Sequence, residues 1–201
     1  MSIYALKPKF QALLRPLTTP LARAGVTANQ VTVAAAVISV ELGLLLVVRG
    51  DDRALFLLVP LWMFLRMAFN AIDGMLAREF GQKSRLGAYL NELTDVISDS
   101  ALYLPLALVP PFSPLWTGIV IVLAVISEYA GVLGPMVGAT RRYDGPMGKS
   151  DRAFLFGALG LWLGLAGSVP PWVGYVMPII AVALVATIVN RVRRGLAEAT
   201  S

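Results

Sequence analysis

Long apolar runs separated by short polar breaks dominate the chain. Six stand out, at about 31–49, 54–76, 87–108, 115–138, 153–169 and 171–190. A helix that crosses a bilayer needs about 20 apolar residues and tolerates about 17. The pattern therefore predicts six transmembrane helices, the fifth being the shortest. Pro110-Pro111 and Pro170-Pro171 punctuate the chain between runs three and four and between runs five and six, which predicts tight helical hairpins. Ahead of the first run, Lys7, Lys9, Arg15 and Arg23 alternate with Phe10, Leu13, Leu14, Leu17 and Leu21. This mixture reads as an interfacial helix on an anionic leaflet, with Pro8, Pro16 and Pro20 expected to interrupt it. The expectation is an all-α polytopic membrane protein with a juxtamembrane segment, 1–30, and a six-helix domain, 31–201.

Composition supports the bilayer. The chain is 57% hydrophobic and 14% charged, against about 25% charged for a soluble domain. The first long run begins near Val31, later and longer than the core of a cleavable leader. No organelle-targeting segment is evident, so a bacterial or archaeal inner (plasma) membrane is expected. There is no cysteine and no histidine, which excludes disulfides and thiolates and leaves Asp, Glu, Lys, Tyr or water to move a proton. The net charge of +5 is a matter of topology. With the N-terminus inside, the basic residues collect at both ends and in the loops around 78–85 and 141–152, and only Arg49 and Arg53 fall on the other side. The positive-inside rule then puts both termini in the cytoplasm and argues against a nucleic-acid surface.

Charged groups do not belong inside hydrocarbon unless they face the bundle interior and serve a purpose. The second run carries Arg66, Asn70 and Asp73, and the third carries Asn91, Glu92, Asp95 and Asp99. Glu41 and Glu128 lie in the first and fourth. At about 100° per residue, Arg66, Asn70, Asp73 and Ala77 share one narrow face, and the four polar residues of the third run fall within about 100° of arc. Pairing two antiparallel neighbours sets Asp73 opposite Asn91, Asn70 opposite Asp95, and Arg66 opposite Asp99. The expected result is a carboxylate-rich cleft open to the cytoplasm. Its hard oxygens suit Mg²⁺, Mn²⁺ or Ca²⁺ and not zinc. An Arg66–Asp99 ion pair is expected one turn deeper, with Glu41 and Glu128 as competing partners. An ion or proton transporter would also carry intramembrane charges, but the chain shows no inverted repeat.

Asn70-Ala-Ile-Asp73-Gly74-Met-Leu-Ala77-Arg78, eight residues, then Gly87-Ala-Tyr-Leu-Asn91-Glu-Leu-Thr-Asp95 resembles the signature of the CDP-alcohol phosphotransferases, D-x-x-D-G-x-x-A-R, eight residues, G-x-x-x-D-x-x-x-D. Asn29-Gln30-Val31-Thr32 is similar to the N-x-x-T that opens the family's first transmembrane helix. The resemblance implies a divalent-metal-dependent enzyme of phospholipid biosynthesis that transfers a substituted phosphate from a CDP-alcohol to a hydroxyl acceptor and releases CMP. It implies Asp95 as general base, Asp73 and Asp95 as metal ligands, and Asp73, Gly74, Ala77, Arg78, Gly87, Asn29 and Thr32 around the nucleotide. One or two Mg²⁺ or Mn²⁺ ions and a homodimer are implied in the same way.

The first and third signature aspartates are Asn70 and Asn91 here. A carboxamide oxygen ligates a hard cation without bringing charge, so metal affinity is expected to fall or the site to hold one ion. Glu92 and Asp99 flank Asp95 as candidate substitute ligands, Glu92 preferred because Asp99 faces Arg66. An inactive relative is the other reading. The loop from Arg141 to Arg152 looks like the family's acceptor side, with Lys149 and Arg152, then Arg141 and Arg142, as candidates for an acceptor or lipid phosphate. CDP-diacylglycerol is the favoured donor and a phosphorylated hydroxyl compound the favoured acceptor. A soluble CDP-choline or CDP-ethanolamine donor with a lipid alcohol acceptor stays open.

Overall fold

The computed structural model describes residues 7–199. The first six residues of the expected juxtamembrane segment and the last two of the chain lie outside them. The described residues form seven α-helices: α1 (Lys7–Arg23), α2 (Ala28–Arg49), α3 (Leu58–Glu79), α4 (Arg85–Tyr103), α5 (Pro114–Val132), α6 (Lys149–Ala166) and α7 (Val176–Ala199). Single 3-10 turns precede α3 and α7 and follow α4 and α5. The helices from α2 onward coincide with the six apolar runs. Four segments are long and apolar enough to cross a membrane: Ala28–Arg49, Arg53–Glu79, Pro114–Val132 and Pro171–Ala199. The two that fall short, α4 and α6, carry Asp95 and Asp99, and Lys149 and Arg152, among the interior polar residues.

Local signals set the helix starts. Thr27 caps α2 by accepting from Gln30 N at 3.2 Å, and Gln30 Oε1 accepts from Thr27 N at 2.9 Å, a reciprocal capping box. Ser84 Oγ accepts from Gly87 N at 2.9 Å to start α4. Asp151 in the first turn of α6 accepts from Gly148 N at 2.9 Å.

α1 corrects one expectation. It runs unbroken through Pro16 and Pro20. The two prolines stand four apart on one exposed face, where the carbonyls they leave without donors meet the surroundings rather than protein. The opposite face buries Leu14 and Thr18, and Phe10 meets Phe64 of α3 edge-on at 6.1 Å.

α2 packs on both α3 and α4, while α5 packs on α7 and α6 on α3. The expected direct α3–α4 hairpin is therefore not what forms: α2 holds the pair apart, and only long side chains bridge it. The close α2–α4 approach needs Gly43, where a Cβ would overlap the backbone carbonyl of Ala101. Gly160 plays the same part on α6, where a Cβ would come within 2.8 Å of Val59 Cβ. Gly43→Val is expected to cost about 1–3 kcal/mol by overpacking, seen as a lower thermal midpoint in detergent. An unchanged midpoint would mean α2 and α4 are not in contact there.

One interior core joins all the long helices, with Leu46, Trp62, Leu102, Val120, Phe156 and Ile180 among its members. Trp62 Nε1 donates to Ser39 Oγ at 2.9 Å. The outside is also apolar: Val48, Phe64, Leu115, Val122, Leu165 and Val182 are all exposed. A protein apolar inside and out has lipid as its solvent.

Candidate active site between α2, α3 and α4

The signature residues gather where the first turns of α2 and α4 meet the last turns of α3. The α3–α4 loop is tied to α2 by Gln82, whose Oε1 accepts from Ala28 N at 2.7 Å and whose Nε2 donates to Val26 O at 3.3 Å. Gly87 lies against Asn29: a Cβ there would stand 2.8 Å from Asn29 Oδ1. Ala77 packs with Val26 and the Ala28–Val31–Leu76 cluster. Asp73 is buried, and Thr32 Oγ1 donates to its Oδ2 at 2.8 Å. Arg78 folds back over Gly74, where a Cβ would meet its Nη2 at 2.8 Å.

Deeper in the cleft, Arg66 crosses from α3 to α4. Its Nη1 donates to Asp99 Oδ1 at 2.5 Å and its Nη2 to Asp95 Oδ1 at 3.3 Å and Asp95 O at 3.2 Å. The ion pair expected from matched depth is present. Lys149, from the start of α6, reaches Asp95 Oδ2 at 2.5 Å. Asp73 lies within electrostatic range of both Asp95 and Lys149.

Asp73, Asp95, Asn70 and Asn91 supply hard oxygen donors, which fits a hard divalent cation at reduced charge. Asn91 turns its amide nitrogen to Glu92 Oε1 at 3.4 Å, which leaves its carbonyl oxygen for another partner. Among the described residues no group of three or more Asp or Glu is arranged as a metal cage. Glu92 is paired with Arg141. Asp99 lies between Arg66 and Arg152. Both carboxylates considered as substitute ligands are thus held by guanidinium groups.

Arg152 is fully buried between Asp99 and Glu128. Arg142 lies further out, 2.7 Å from Asp144 Oδ2 and paired with Glu198. Asp144 also accepts from Arg194 at 2.8 Å. Partial burial pushes the Asp144 carboxyl up, but the hydrogen bonds from Arg142 and Arg194 outweigh that and hold it below the usual carboxylate range. The 138–148 loop is pinned by Met147 N donating to Thr187 Oγ1 at 3.0 Å and Arg142 N to Gly131 O at 3.0 Å. Gly145, at φ +128°, leaves no room for a side chain against Thr187.

Two residues have larger parts than the sequence suggested. Glu128 meets Arg141, Arg152 and Arg191. Arg191, near the basic C-terminal end of the chain, is 2% exposed and donates to Ser127 O and Asp144 O. A signal for Arg191 exists: it extends the buried stripe Met177, Ile180, Ala181, Leu184, Thr187 of α7 at helical spacing.

The fold and site define an integral membrane protein with a polar catalytic cleft inside a helical bundle. The chain matches the CDP-alcohol phosphatidyltransferase family over residues 25–189 and belongs to it. It is similar to the inner membrane protein YnbA of Escherichia coli, 44% identical over 96% of each chain. Phosphatidylinositol phosphate synthase of Corynebacterium glutamicum is 32% identical over 51% of this chain and 45% of its own length. The Mycobacterium tuberculosis phosphatidylinositol phosphate synthase superposes at a TM-score of 0.75 with 25% identity. That holds for its complex with manganese and citrate, covering 91% of this chain and 88% of that one, and for its CDP-DAG-bound form, covering 94% of each.

Proposed function

We propose that this protein transfers the phosphatidyl group of CDP-diacylglycerol to a hydroxyl acceptor and releases CMP, as a step of phospholipid biosynthesis. The observation that carries the reading is the convergence of Asp73, Gly74, Ala77, Arg78 and Gly87 around Asn29 and Thr32, with Asp95 held deeper in the cleft by Arg66 and Lys149. The CDP-DAG-bound mycobacterial structure supports the lipid donor. So does the exposed apolar face of α2 that begins beside Asn29 and Gln30 and runs past Val33, Val37 and Ile38, a course that suits an acyl chain whose headgroup lies at the signature.

In this reading Asp95 is the catalytic base that takes the proton of the acceptor hydroxyl. Each of its oxygens keeps a lone pair beyond those aimed at Arg66 and Lys149. Arg78 and the open backbone at Gly74 position the nucleotide. Asp73, Asp95, Asn70 and Asn91 would hold Mg²⁺ or Mn²⁺, which neutralises charge on the phosphoryl oxygens and leaving group. The manganese complex of the mycobacterial protein supports a divalent ion. The chain is a variant of the signature, with Asn at its first and third acidic positions. Helices α2–α7 cross the bilayer, α1 lies at the interface within a juxtamembrane segment 1–30, and residues 31–201 form the catalytic domain. Both termini and the signature face the cytoplasm, as the Lys and Arg distribution supports.

The test is to incubate detergent-purified protein with CDP-diacylglycerol, Mn²⁺ and a pool of hydroxyl acceptors and to measure CMP by chromatography. Acceptor-dependent CMP that EDTA abolishes is the expected result. CMP formation indifferent to EDTA sinks the metal, and none from the lipid donor sinks the transferase. Restoring charge should tighten the metal site: Asn70→Asp is expected to lower the Mn²⁺ dissociation constant by about tenfold. Free Mn²⁺ read by electron paramagnetic resonance decides this without turnover, and an unchanged constant would remove Asn70 from the ligand set.

A further inference from the structure

The two halves of the signature stand on helices separated by α2, which packs on both α3 and α4. Arg66 is a side chain that spans this gap. Its guanidinium is divided between two residues one turn apart on α4. Nη1 donates to Asp99 Oδ1 at 2.5 Å, and Nη2 donates both to the Asp95 backbone carbonyl at 3.2 Å and to Asp95 Oδ1 at 3.3 Å. An arginine and a carboxylate commonly pair through both oxygens of the carboxylate. Asp99 does not offer its second one, because Oδ2 already accepts from Arg152 Nε at 3.3 Å and from Arg152 Nη2 at 2.9 Å. Arg152 is held in turn by Glu128 Oε1, 3.0 Å from its Nη2. The buried chain Glu128–Arg152–Asp99 therefore fixes one end of the Arg66 fork and leaves the other end to Asp95.

We propose that Arg66 is a positioning residue for the catalytic base. By holding the Asp95 carbonyl and Oδ1 with one nitrogen, it aims Oδ2 at the acceptor and makes Oδ2 the oxygen that takes the proton. The proposal rests on the phosphatidyl-transfer reading.

The two oxygens of Asp95 have unlike neighbours. Oδ1 faces a guanidinium that is 3% exposed and anchored at its other nitrogen. Oδ2 faces Lys149 Nζ at 2.5 Å, on a side chain a third exposed, with a flexible stem. Lys149 is free to turn aside when a hydroxyl arrives. Arg66 is not, because leaving would strand a buried Asp99 charge. A donor that grips the backbone and the side chain of one residue together also restricts that residue to a single rotamer. The gain is in rate, since a misplacement of about 1 Å at a reacting group costs about 10²-fold. The same grip sets the depth of Asp95 on α4 against Asp73 and Gly74 on α3, so the base keeps register with the half of the signature that holds the nucleotide. In the transfer, the acceptor oxygen bonds to the β-phosphorus, the bond from that phosphorus to the CMP oxygen breaks, CMP leaves with the electron pair, and the hydroxyl proton passes to Asp95 Oδ2.

The test is Arg66→Lys in a double-mutant cycle with Asp95→Asn. Lysine keeps the charge and a partner for Asp99, but one ammonium does not span two residues as a planar fork does. CMP release from CDP-diacylglycerol is followed at saturating Mn²⁺, with thermal midpoints alongside. The expectation for Arg66→Lys is a kcat lower by about 10–100-fold, at a midpoint close to wild type. KM for the donor should stay within about threefold, as for an interaction that matters to the chemical step. In the Asp95→Asn background the same substitution should change kcat by less than about twofold, because residues that act as a unit do not add. If Arg66→Lys does not fold, Asp99→Asn, which leaves Arg66 in place and loosens its anchor, enters the same cycle with the same expectation. Turnover above about half of wild type, a loss carried by KM, or a loss that recurs in full in Asp95→Asn overturns the proposal. The last of these is what a purely structural Arg66 predicts. Failure of the transferase reading looks different: wild type itself then yields no CMP, and the positioning role falls with it. CMP from wild type with an indifferent Arg66→Lys sinks the positioning role alone.

Discussion

Asp95→Asn is expected to lower acceptor-dependent CMP release by about 10²–10⁴-fold, the usual contribution of a positioned general base. Asparagine keeps the shape of the side chain, so Arg66 still finds an oxygen at the position of Oδ1, 3.3 Å away in the wild type. What disappears is the ability to take a proton and the charge that holds Lys149 at 2.5 Å. A structural role for Asp95 makes a different forecast: activity would fall only as far as the protein unfolds. The thermal midpoint therefore belongs in the same experiment. A large loss of turnover with a folded bundle and unchanged Mn²⁺ binding identifies the base. A variant that keeps more than a tenth of wild-type turnover removes Asp95 from that role.

Much of this arrangement is legible in the sequence, for particular reasons. The apolar runs are legible because a helix in a bilayer must satisfy its backbone polar groups internally; α2–α7 follow all six, and four of the segments are long and apolar enough to cross a membrane. The Thr27–Gln30 capping box is a local signal that needs nothing beyond four residues. The Arg66–Asp99 pair is readable because depth along two antiparallel helices is fixed by residue number. Depth is also where this reasoning stops. It assigns height in the bundle but not which helices touch, so the insertion of α2 between α3 and α4 is invisible to it. Gly43, the residue that permits that insertion, reads in sequence only as a small residue in an apolar run. Pro16 and Pro20 mislead for a similar reason: a proline stops a helix where the released carbonyls are enclosed, and here they face outward. The pairing of Glu92 with Arg141 joins α4 to a loop 49 residues away, and nothing local in either segment announces it.

Arg152→Met is expected to destabilise the protein by about 3–5 kcal/mol, the cost of leaving buried charges without a partner. The side chain is 1% exposed and ties α6 to Asp99 on α4 and to Glu128 on α5. Methionine matches its length but supplies no donor, so Asp99 keeps only Arg66, and Glu128 keeps Arg191 and the more distant Arg141. Those remaining pairs cannot follow the missing one, since Arg66 and Arg191 are themselves buried and committed to backbone carbonyls. The result should be a lower thermal midpoint and lower yield from the membrane. The double variant Arg152→Met with Glu128→Gln removes one of the stranded charges and should recover part of the loss, giving a coupling of about 0.5–3 kcal/mol in a double-mutant cycle. A phosphate-binding role for Arg152 predicts the opposite pattern, with stability intact, KM for a phosphorylated acceptor raised, and no rescue by Glu128→Gln. The two accounts of Arg152 therefore separate on one cycle measured without substrate. A single variant as stable as wild type would show that the alternating chain Arg66–Asp99–Arg152–Glu128–Arg191 is not what locks α4, α5, α6 and α7 around the cleft.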